Sequence, residues 1–505
     1  MNNGRLQRSK FGRFPFNEKG SLFVIVYMVV FVLLIAGAAF LVISSNDSRI
    51  SERQLRTTQA LLIAQAGMNR ALNDLYVDYV NSTDWTDGDI NGTTAGPNTG
   101  AYYDLTYGST TLNTGSYAVS LQNIAGANDQ MWVRSVGTVG DAIQTIVVYA
   151  KMISLSPWNN AIFAGTGASG MAINGNVDIH GSVHILGNGL LASDMAMDMS
   201  GSGKISNNYS GLSATLDNKI PALPTTTFGG ESVGSLNAVL RVKKGVVGLS
   251  GTAVVGNTNV AGNTVKETMD AVYATNGFGG NAGTSNVRSD NGYSNGYDMG
   301  DAVSFPSLSA PYAGYASYSA YLKANALVID DPTQLAALAN ITPNSNFSYS
   351  NANGSITMDG NGNMTISGIV YVDGGDVDMN IAGSKKIINY TGKGSLYVSG
   401  NVNIDVNLYT AGNDSYPTNV MAVMTPNNIT FNAASIDVMG LFYGENKITV
   451  QKQTVIVGAL VTNYFDLGTN VPSIYYVPSV LTNLPSGLIG SSSLWQLQPL
   501  AWQEQ

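Results

Sequence analysis

The chain has 505 residues, a net charge of −9, no cysteine, 44% hydrophobic residues and only 11% charged residues. The length predicts two or more domains, and the hydrophobic fraction excludes a disordered chain. The absence of cysteine excludes disulfides and thiolate metal sites. The negative charge argues against a nucleic-acid partner, because such binding depends on clustered lysine and arginine. Glycine is abundant, with 57 residues, which favours short strands joined by tight turns over a helical bundle.

A basic N-terminal stretch is followed by a long apolar segment. Residues 1–20 hold five basic residues against one acidic residue, and residues 22–43 are almost all apolar. At ~1.5 Å per residue, ~22 helical residues span ~33 Å, which is enough to cross the hydrocarbon core of a bilayer. The positive-inside rule places the N-terminus in the cytoplasm and the chain after Asp47 outside. We therefore predict a single-pass protein of the cytoplasmic membrane, whose anchor includes Leu22, Phe23, Val24, Ile25 and Ile43.

Residues 17–30, NEKGSLFVIVYMVV, resemble the signal of type IV prepilins, which has a basic leader, a glycine at the cleavage site and then an apolar helix. The resemblance implies that a prepilin peptidase removes residues 1–20 by cleaving after Gly20, so that Ser21 becomes the new N-terminus. It also implies a bacterial cell, because the prepilin pathway is prokaryotic. The alternative interpretation is an uncleaved signal anchor.

One position departs from the pattern of the prepilin family. Major pilins carry glutamate at the fifth mature position, where this chain has Ile25. In the family, that carboxylate is thought to neutralise the N-terminal amine of a neighbouring subunit in the apolar filament core, where an unpaired charge is costly. The departure favours a minor or tip subunit over the repeating subunit. An anchored protein that never polymerises is the alternative.

The apolar segment continues into a predicted amphipathic helix, and we assign residues 21–80 to one helix. Apolar residues recur there at three- and four-residue spacing. Residues 61–75, LLIAQAGMNRALNDL, resemble the end of the helix in minor pilin-like proteins with a PilX-type N-terminal domain, and the resemblance covers about residues 15–155. The matching Ala-x-x-Gly-x-x-x-Ala-Leu pattern falls on Ala64, Gly67, Ala71 and Leu72.

A polar loop at residues 81–100 contains the sequence DGDING. Asp87, Asp89 and Asn91 match the alternating oxygen ligands at the front of a calcium loop. The position that should hold a bidentate glutamate is Asn98, and such clusters are also ordinary turn chemistry. Calcium is thus one interpretation and a plain turn the other, and no other cofactor is predicted.

Three alternating apolar and polar segments follow, at residues 117–124, 131–139 and 142–153. They predict antiparallel strands of a small sheet that packs on the helix, as in pilins. We assign residues 81–157 to this small pilin-like region and place its boundary at Pro157.

Residues 158–505 show a pattern typical of many short strands, each of which ends at a glycine or asparagine. Stacked strands of this kind predict a right-handed parallel β-helix, with a β-sandwich as the alternative. We expect a loop-rich insert at about residues 190–355. Within it, Asp331-Pro332 is typical of a helix start.

Few residues in this body suggest a reaction or a ligand. Asp376 and Asp378 share one face of a predicted strand near Asp373, which suits acid–base chemistry on a polysaccharide or, equally, a solvated surface. His180 and His184 also share a face, but the sequence names no third metal ligand. Late aromatic residues such as Trp495 and Trp502 are typical of a core edge. We therefore predict no enzyme activity.

The residues favour a minor or tip pilin-like protein that displays a β-helix outside the cell, for pilus priming or for adhesion to a surface or glycan. The expected partners are the membrane, a prepilin peptidase and other pilins or pilus-assembly proteins. The alternatives are a membrane-anchored polysaccharide-active enzyme and a β-helical envelope scaffold.

Overall fold

The computed structural model describes residues 18–82, 85, 101–107, 110–113, 115–124, 127–165, 173–291, 303–466, 472–491 and 495–504. The chain divides into two compact units. Unit 1 comprises Met1–Ile153 and Trp495–Gln505, and unit 2 comprises Ser154–Leu494. Unit 2 is therefore an insertion in the sequence of unit 1.

Unit 1 is a helix packed on a sheet. Helix α1 runs from Glu18 to Ser82. The sheet order is β1-β3-β4-β5-β34, with β2 also paired to β3, and β1 to β5 pair in antiparallel fashion. The strands are β1 Tyr103–Leu105, β2 Thr111–Leu112, β3 Gly115–Asn123, β4 Gln130–Val139, β5 Ala142–Ser154 and β34 Trp495–Glu504. The three predicted strands are confirmed, and their ends lie within two residues of the observed ones.

Unit 2 is a parallel β-helix, so the predicted coil architecture is confirmed and the β-sandwich is wrong. Its strands stack by parallel pairing on three faces, here named A, B and C. Face A contains β6 Ile162–Ala164, β9 Val183–Ile185, β14 Val239–Val242, β17 Ala271–Ala274, β19 Leu327–Ile329, β26 Lys393–Val398 and β29 Val420–Thr425.

The other two faces complete each coil. Face B contains β7 Ile173–Gly175, β10 Met195–Met199, β15 Val246–Leu249, β18 Phe278–Gly280, β20 Asn340–Ile341, β24 Val377–Met379, β27 Val402–Ile404 and β30 Asn428–Phe431. Face C contains β8 Asp178–His180, β11 Lys204–Ser206, β16 Val254–Val255, β25 Ile387–Thr391, β28 Asn407–Thr410 and β33 Ser473–Tyr475. Three longer strands turn from one face to the next, namely β23 Asn363–Val372, β31 Ile436–Val450 and β32 Thr454–Asp466.

Short elements decorate the coils. Antiparallel pairing joins β12 Thr225–Phe228 to β13 Glu231–Gly234, and β21 Asn346–Ser350 to β22 Gly354–Asp359, which also pairs in antiparallel fashion with β23. The helices are α2 Ala214–Asp217, α3 Tyr318–Ala324 and α4 Pro332–Leu338. The predicted helix start is confirmed, because the Asp331 side chain caps the N-terminus of α4.

The spatial order of the coils differs from their order in the chain. On face A the order is β19, β23, β26, β29, β31, β32, β6, β9, β14 and β17, so that the coils nearest the N-terminus of unit 2 stack on the last coil. On face C, β33 lies between β32 and β8. One coil is thus built from both ends of unit 2. The two ends are also joined directly, because Trp158 Nε1 donates a hydrogen bond to Ile489 O at 2.6 Å.

Two parts of the predicted division differ from the structure. Residues 495–505 were assigned to the β-helix, but β34 lies at the edge of the unit 1 sheet beside β5. The region of about 190–355 was expected to be rich in loops, but residues 195–280 contain nine strands, β10 to β18, most of which belong to regular coils. Their strands of two to five residues are too short to show clear alternation.

Candidate functional site

Helix α1 is the candidate functional site, and it is continuous from Glu18 to Ser82. No proline interrupts it, and a helix of this length measures ~98 Å at ~1.5 Å per residue. Gly20 and Ser21, the predicted cleavage position, lie in its first turns. No observation on the structure tests the cleavage itself, which stays a prediction.

The first half of α1 has an uncovered apolar surface. Ile25 is 57% exposed and Ile43 is 58% exposed, and Leu22, Phe23 and Val24 are at least as open. Within the part of the chain that the structure describes, α1 is the one helix long and apolar enough to cross a membrane. Each large apolar side chain gains ~1.5–3 kcal/mol on full burial, so a surface of this extent requires a lipid or protein partner.

The second half of α1 packs against the sheet of unit 1. Its inward side chains are fully buried, namely Ala60, Ala64, Met68, Ala71 and Leu75. This burial confirms the apolar stripe that the sequence predicts.

Small residues bring the helix and the sheet into backbone contact. A Cβ atom on Gly137 of β4 would lie 2.1 Å from Ala60 O, which no side chain tolerates. A Cβ atom on Gly67 would lie 2.6 Å from Ser135 Oγ. Ser135 Oγ in turn donates a buried hydrogen bond of 2.8 Å to Ala64 O. Close packing on the sheet therefore explains the Ala64-Gly67-Ala71 pattern. The sequence does not reveal its partners Ser135 and Gly137, because only the pairing register of β4 places them opposite α1.

A second apolar stripe faces away from the sheet. Leu55, Leu62, Val77 and Val80 are each at least 42% exposed. At ~100° per residue these positions fall within an arc of ~60°, on the side opposite the buried stripe. The intervals are 7, 15 and 3 residues, and the exposed Asn69 and Asn73 lie on the same side between Leu62 and Val77, so the stripe consists of two separate apolar pairs. Each pair suits a contact with another helix.

Charged residues separate the two halves of α1. Arg56 Nη1 lies 3.1 Å from Asp141 Oδ1, in the turn between β4 and β5, and Arg56 Nη2 lies 2.5 Å from Glu52 Oε1. The hydrogen bond from Arg56 lowers the pKa of Asp141. These groups are solvent-exposed, so they orient the helix more than they stabilise it.

The end of α1 is fixed by one aromatic side chain. Trp85 is fully buried, and its Nε1 donates a hydrogen bond of 2.8 Å to Leu75 O. The predicted calcium ligands Asp87, Asp89 and Asn91 lie outside the described residues.

Two of the candidate acidic residues of unit 2, Asp376 and Asp378, are engaged in contacts between coils. Asp376 accepts a hydrogen bond of 2.7 Å from Asn401 N, and Asp378 accepts one of 2.6 Å from Asn403 Nδ2. Asp373 lies 2.5 Å from Lys323 Nζ. Asp378 lies on the outward face of β24, and Asp376 directly precedes that strand at an exposed position, in keeping with the predicted alternation. Their contacts are those of a polar ladder along stacked coils.

The two histidines are core residues. His180 stacks on Tyr475 with ring centroids 4.2 Å apart, and its Nδ1 lies 2.6 Å from Asn208 O. His184 packs edge-on against Phe163, and burial lowers its pKa well below the usual value. Among the described residues, no group of three histidine, aspartate or glutamate side chains is placed to hold a metal ion.

An exposed apolar helix whose second half packs on a small antiparallel sheet defines a pilin-like arrangement. No protein-family model and no curated protein matches the sequence. Among solved structures, the chain is similar to the competence-associated pilin ComZ from Thermus thermophilus, with a TM-score of 0.52 and 18% identity over 89% of this chain and 97% of that chain. This similarity shows that the chain has a pilin-like fold.

Proposed function

We propose that the protein is a membrane-anchored minor or tip subunit of a type IV pilus or pseudopilus. In this proposal a prepilin peptidase cleaves after Gly20, and residues 22–43 hold the subunit in the cytoplasmic membrane with the N-terminus inside. The β-helix of unit 2 is displayed outside, for pilus priming or for contact with a surface or glycan.

The observation that carries the proposal is the contrast along α1. Its second half is covered by the sheet of unit 1, while none of the residues that the structure describes covers residues 22–43. A bilayer covers such a segment before assembly, and other pilin helices cover it in a filament. The exposed apolar pairs Leu55–Leu62 and Val77–Val80 offer further contact area for assembly beyond residues 22–43.

Two features favour a minor position over the repeating one. Ile25 offers no carboxylate for the amine of a neighbouring subunit, so each added copy would leave a charge unpaired in an apolar core. The resemblance of residues 61–75 to PilX-type domains also favours a minor pilin-like role. A subunit at the tip has no neighbour on one side and needs no such pairing there.

The test is the intact mass of the protein isolated from its native membranes and from sheared surface filaments. The proposal predicts a chain that begins at Ser21 in both fractions, at low abundance in the filaments. The variant Gly20→Arg should keep the leader and still enter the membrane. Efficient processing of that variant, or a native chain that keeps residues 1–20, would contradict the cleavage assignment.

The similarity to a competence-associated pilin suggests competence as a second candidate role. The measurement is the transformation frequency of a strain that lacks this gene, compared with its surface piliation. Loss of transformation with normal piliation would favour competence. Because the chain has a net charge of −9, we expect any such role to proceed through assembly and not through direct contact with DNA.

A further inference from the structure

A cavity of ≈ 200 Å³ opens on unit 2 where three stretches of chain meet. Residues 155–157 and 489–491 form one wall, and residues 303–318 form the other. The volume is below the ~300–1,000 Å³ of pockets for drug-sized ligands, so it suits a single ring-sized group. The lining is apolar, with serine hydroxyls between, and its only ionisable described side chains are Tyr312 and Tyr318.

The segment that forms the second wall is held firmly against face A. Phe305 stacks between Phe163 and Tyr443, at centroid distances of 6.3 and 5.9 Å. Tyr443 donates a hydrogen bond of 2.5 Å to Pro306 O, and Leu308 N donates one of 3.1 Å to Glu445. The wall is therefore preorganised, which limits the entropy lost when a ligand binds.

Four tyrosines extend the cavity into an aromatic surface. They recur every third residue and contact one another, with centroid distances of 4.6 Å for Tyr312–Tyr318, 4.9 Å for Tyr312–Tyr321 and 5.6 Å for Tyr315–Tyr321. Tyr312 and Tyr315 are 41% and 38% exposed. The sequence contains this cluster as four tyrosines at three-residue spacing.

A tight turn fixes the two exposed rings. Tyr312 and Tyr315 exchange backbone hydrogen bonds of 3.2 and 2.8 Å across Ala313 and Gly314. Both turn residues have positive φ, 49° and 84°, as a two-residue type I′ turn requires. The rings are thus anchored at both ends of a rigid turn, and rigid tyrosines give a large amphipathic contact area at low entropic cost.

We propose that the cavity, which Tyr318 lines, and the exposed rings of Tyr312 and Tyr315 bind a neutral saccharide. A sugar ring presents an apolar face of C–H groups that packs on an aromatic ring, while its hydroxyls bond to serine and tyrosine oxygens. The uncharged lining disfavours ionic ligands, which would be desolvated without a counter-charge. A ring-sized cavity beside an aromatic surface fits one sugar unit in the cavity and its neighbours on the tyrosines.

The experiment uses the full chain in a detergent without a sugar headgroup, since an alkyl glycoside would compete. An array of neutral glycans identifies a ligand, and calorimetry measures its affinity for the wild type and for variants. Tyr312→Ala and Tyr315→Ala should each weaken binding about tenfold, whereas Tyr312→Phe should stay within about threefold because the ring is kept. Tyr349→Ala, which removes a tyrosine stacked on Phe347 elsewhere in unit 2, is the matched control and should leave affinity unchanged.

The absence of binding to any neutral glycan overturns the proposal, as does binding that is indifferent to Tyr312→Ala in a variant with wild-type circular dichroism. Binding of a proline-rich peptide in place of glycans also overturns it. The proposal rests on the proposed function only for the display of unit 2 outside the cell. Glycan binding by a chain that does not begin at Ser21 would contradict the filament assignment alone. A chain that begins at Ser21 but binds no neutral glycan would contradict the saccharide proposal alone.

Discussion

The two halves of α1 belong to one unbroken helix and yet have opposite environments. Residues 22–43 expose nearly every large apolar side chain, whereas Ala60, Ala64, Met68, Ala71 and Leu75 are fully buried. In residues 22–43 the apolar side chains lie on all sides of the helix. In the second half, the buried side chains form one stripe that faces the sheet.

The distribution of apolar residues around the helix indicates the kind of partner that each half packs against. A helix that is apolar on all sides is built for lipid or for several neighbouring helices, while a single stripe is built for one sheet. Residues near Asp47 and Arg56 mark the change, because charged side chains are costly inside a bilayer.

The largest effect is expected from charges at the centre of the apolar half. Leu33→Arg combined with Leu34→Arg should cost about 5–7 kcal/mol of membrane insertion, at ~2.5–3.5 kcal/mol for each arginine. Membrane fractionation after an alkaline wash checks the result. The control Leu62→Arg, on the exposed stripe beyond the membrane, should remain in the membrane fraction. Full retention of the double variant would show that these residues are not the anchor.

A pair of glycine substitutions compares the two halves directly. In Gly137→Val the new side chain meets the backbone of α1 at Ala60 and Ala64, so we expect a loss of about 3 kcal/mol or more from overpacking. A Cβ atom at Gly37 would meet no atom within 4 Å apart from its own helix backbone, so Gly37→Val should leave unit 1 unchanged. Hydrogen exchange of the β3 and β4 amides measures the difference. Equal protection in both variants would contradict the packing of α1 on β4.

A smaller loss is expected for Ser135→Ala. The variant removes the buried hydrogen bond from Ser135 Oγ to Ala64 O, which is worth about 0.5–1.5 kcal/mol. The same exchange experiment detects it as faster exchange in β4. The control is Ser116→Ala, at a half-buried position of β3. If it accelerates exchange as much as Ser135→Ala does, the lost hydrogen bond to α1 is not the cause of the faster exchange.

The smallest effect concerns the ion pair between Arg56 and Asp141. The hydrogen bond from Arg56 lowers the pKa of Asp141, so its stabilising effect is complete above the ordinary aspartate pKa. It is lost as the pH falls through the lowered value, which places the change below about pH 4. Thermal unfolding from pH 7 to pH 3 should show a slightly weaker acid dependence for Asp141→Asn. The difference in melting temperature between the wild type and the variant should change mainly between pH 4 and pH 3. An equally large change between pH 7 and pH 5 would show that the ion pair is not its source.

The sequence predicts unit 1 well because its signals are local. The periodicity of α1 and the alternation of β3, β4 and β5 each report the environment of neighbouring residues in the chain. The final strand β34 was missed, because pairing with β5 across an insertion of several hundred residues leaves no local trace.

The structure of unit 2 is less predictable from the sequence than that of unit 1. Glycine and asparagine at the ends of short strands indicate coils, but alternation does not say which strands are neighbours. The stacking of β6 on β32 and of β33 below β8 is therefore invisible in the sequence. Likewise, Asp376 and Asp378 suggest catalysis until the coil repeat places Asn401 and Asn403 beside them.

We propose that lipid or neighbouring subunits cover residues 22–43, and the lack of native cysteine permits a direct measurement. Single-cysteine variants Leu33→Cys and Asp47→Cys are treated in native membranes with a membrane-impermeant maleimide. We expect rapid labelling at position 47, and at position 33 labelling only after detergent is added. Equal labelling of both positions in intact membranes would contradict it.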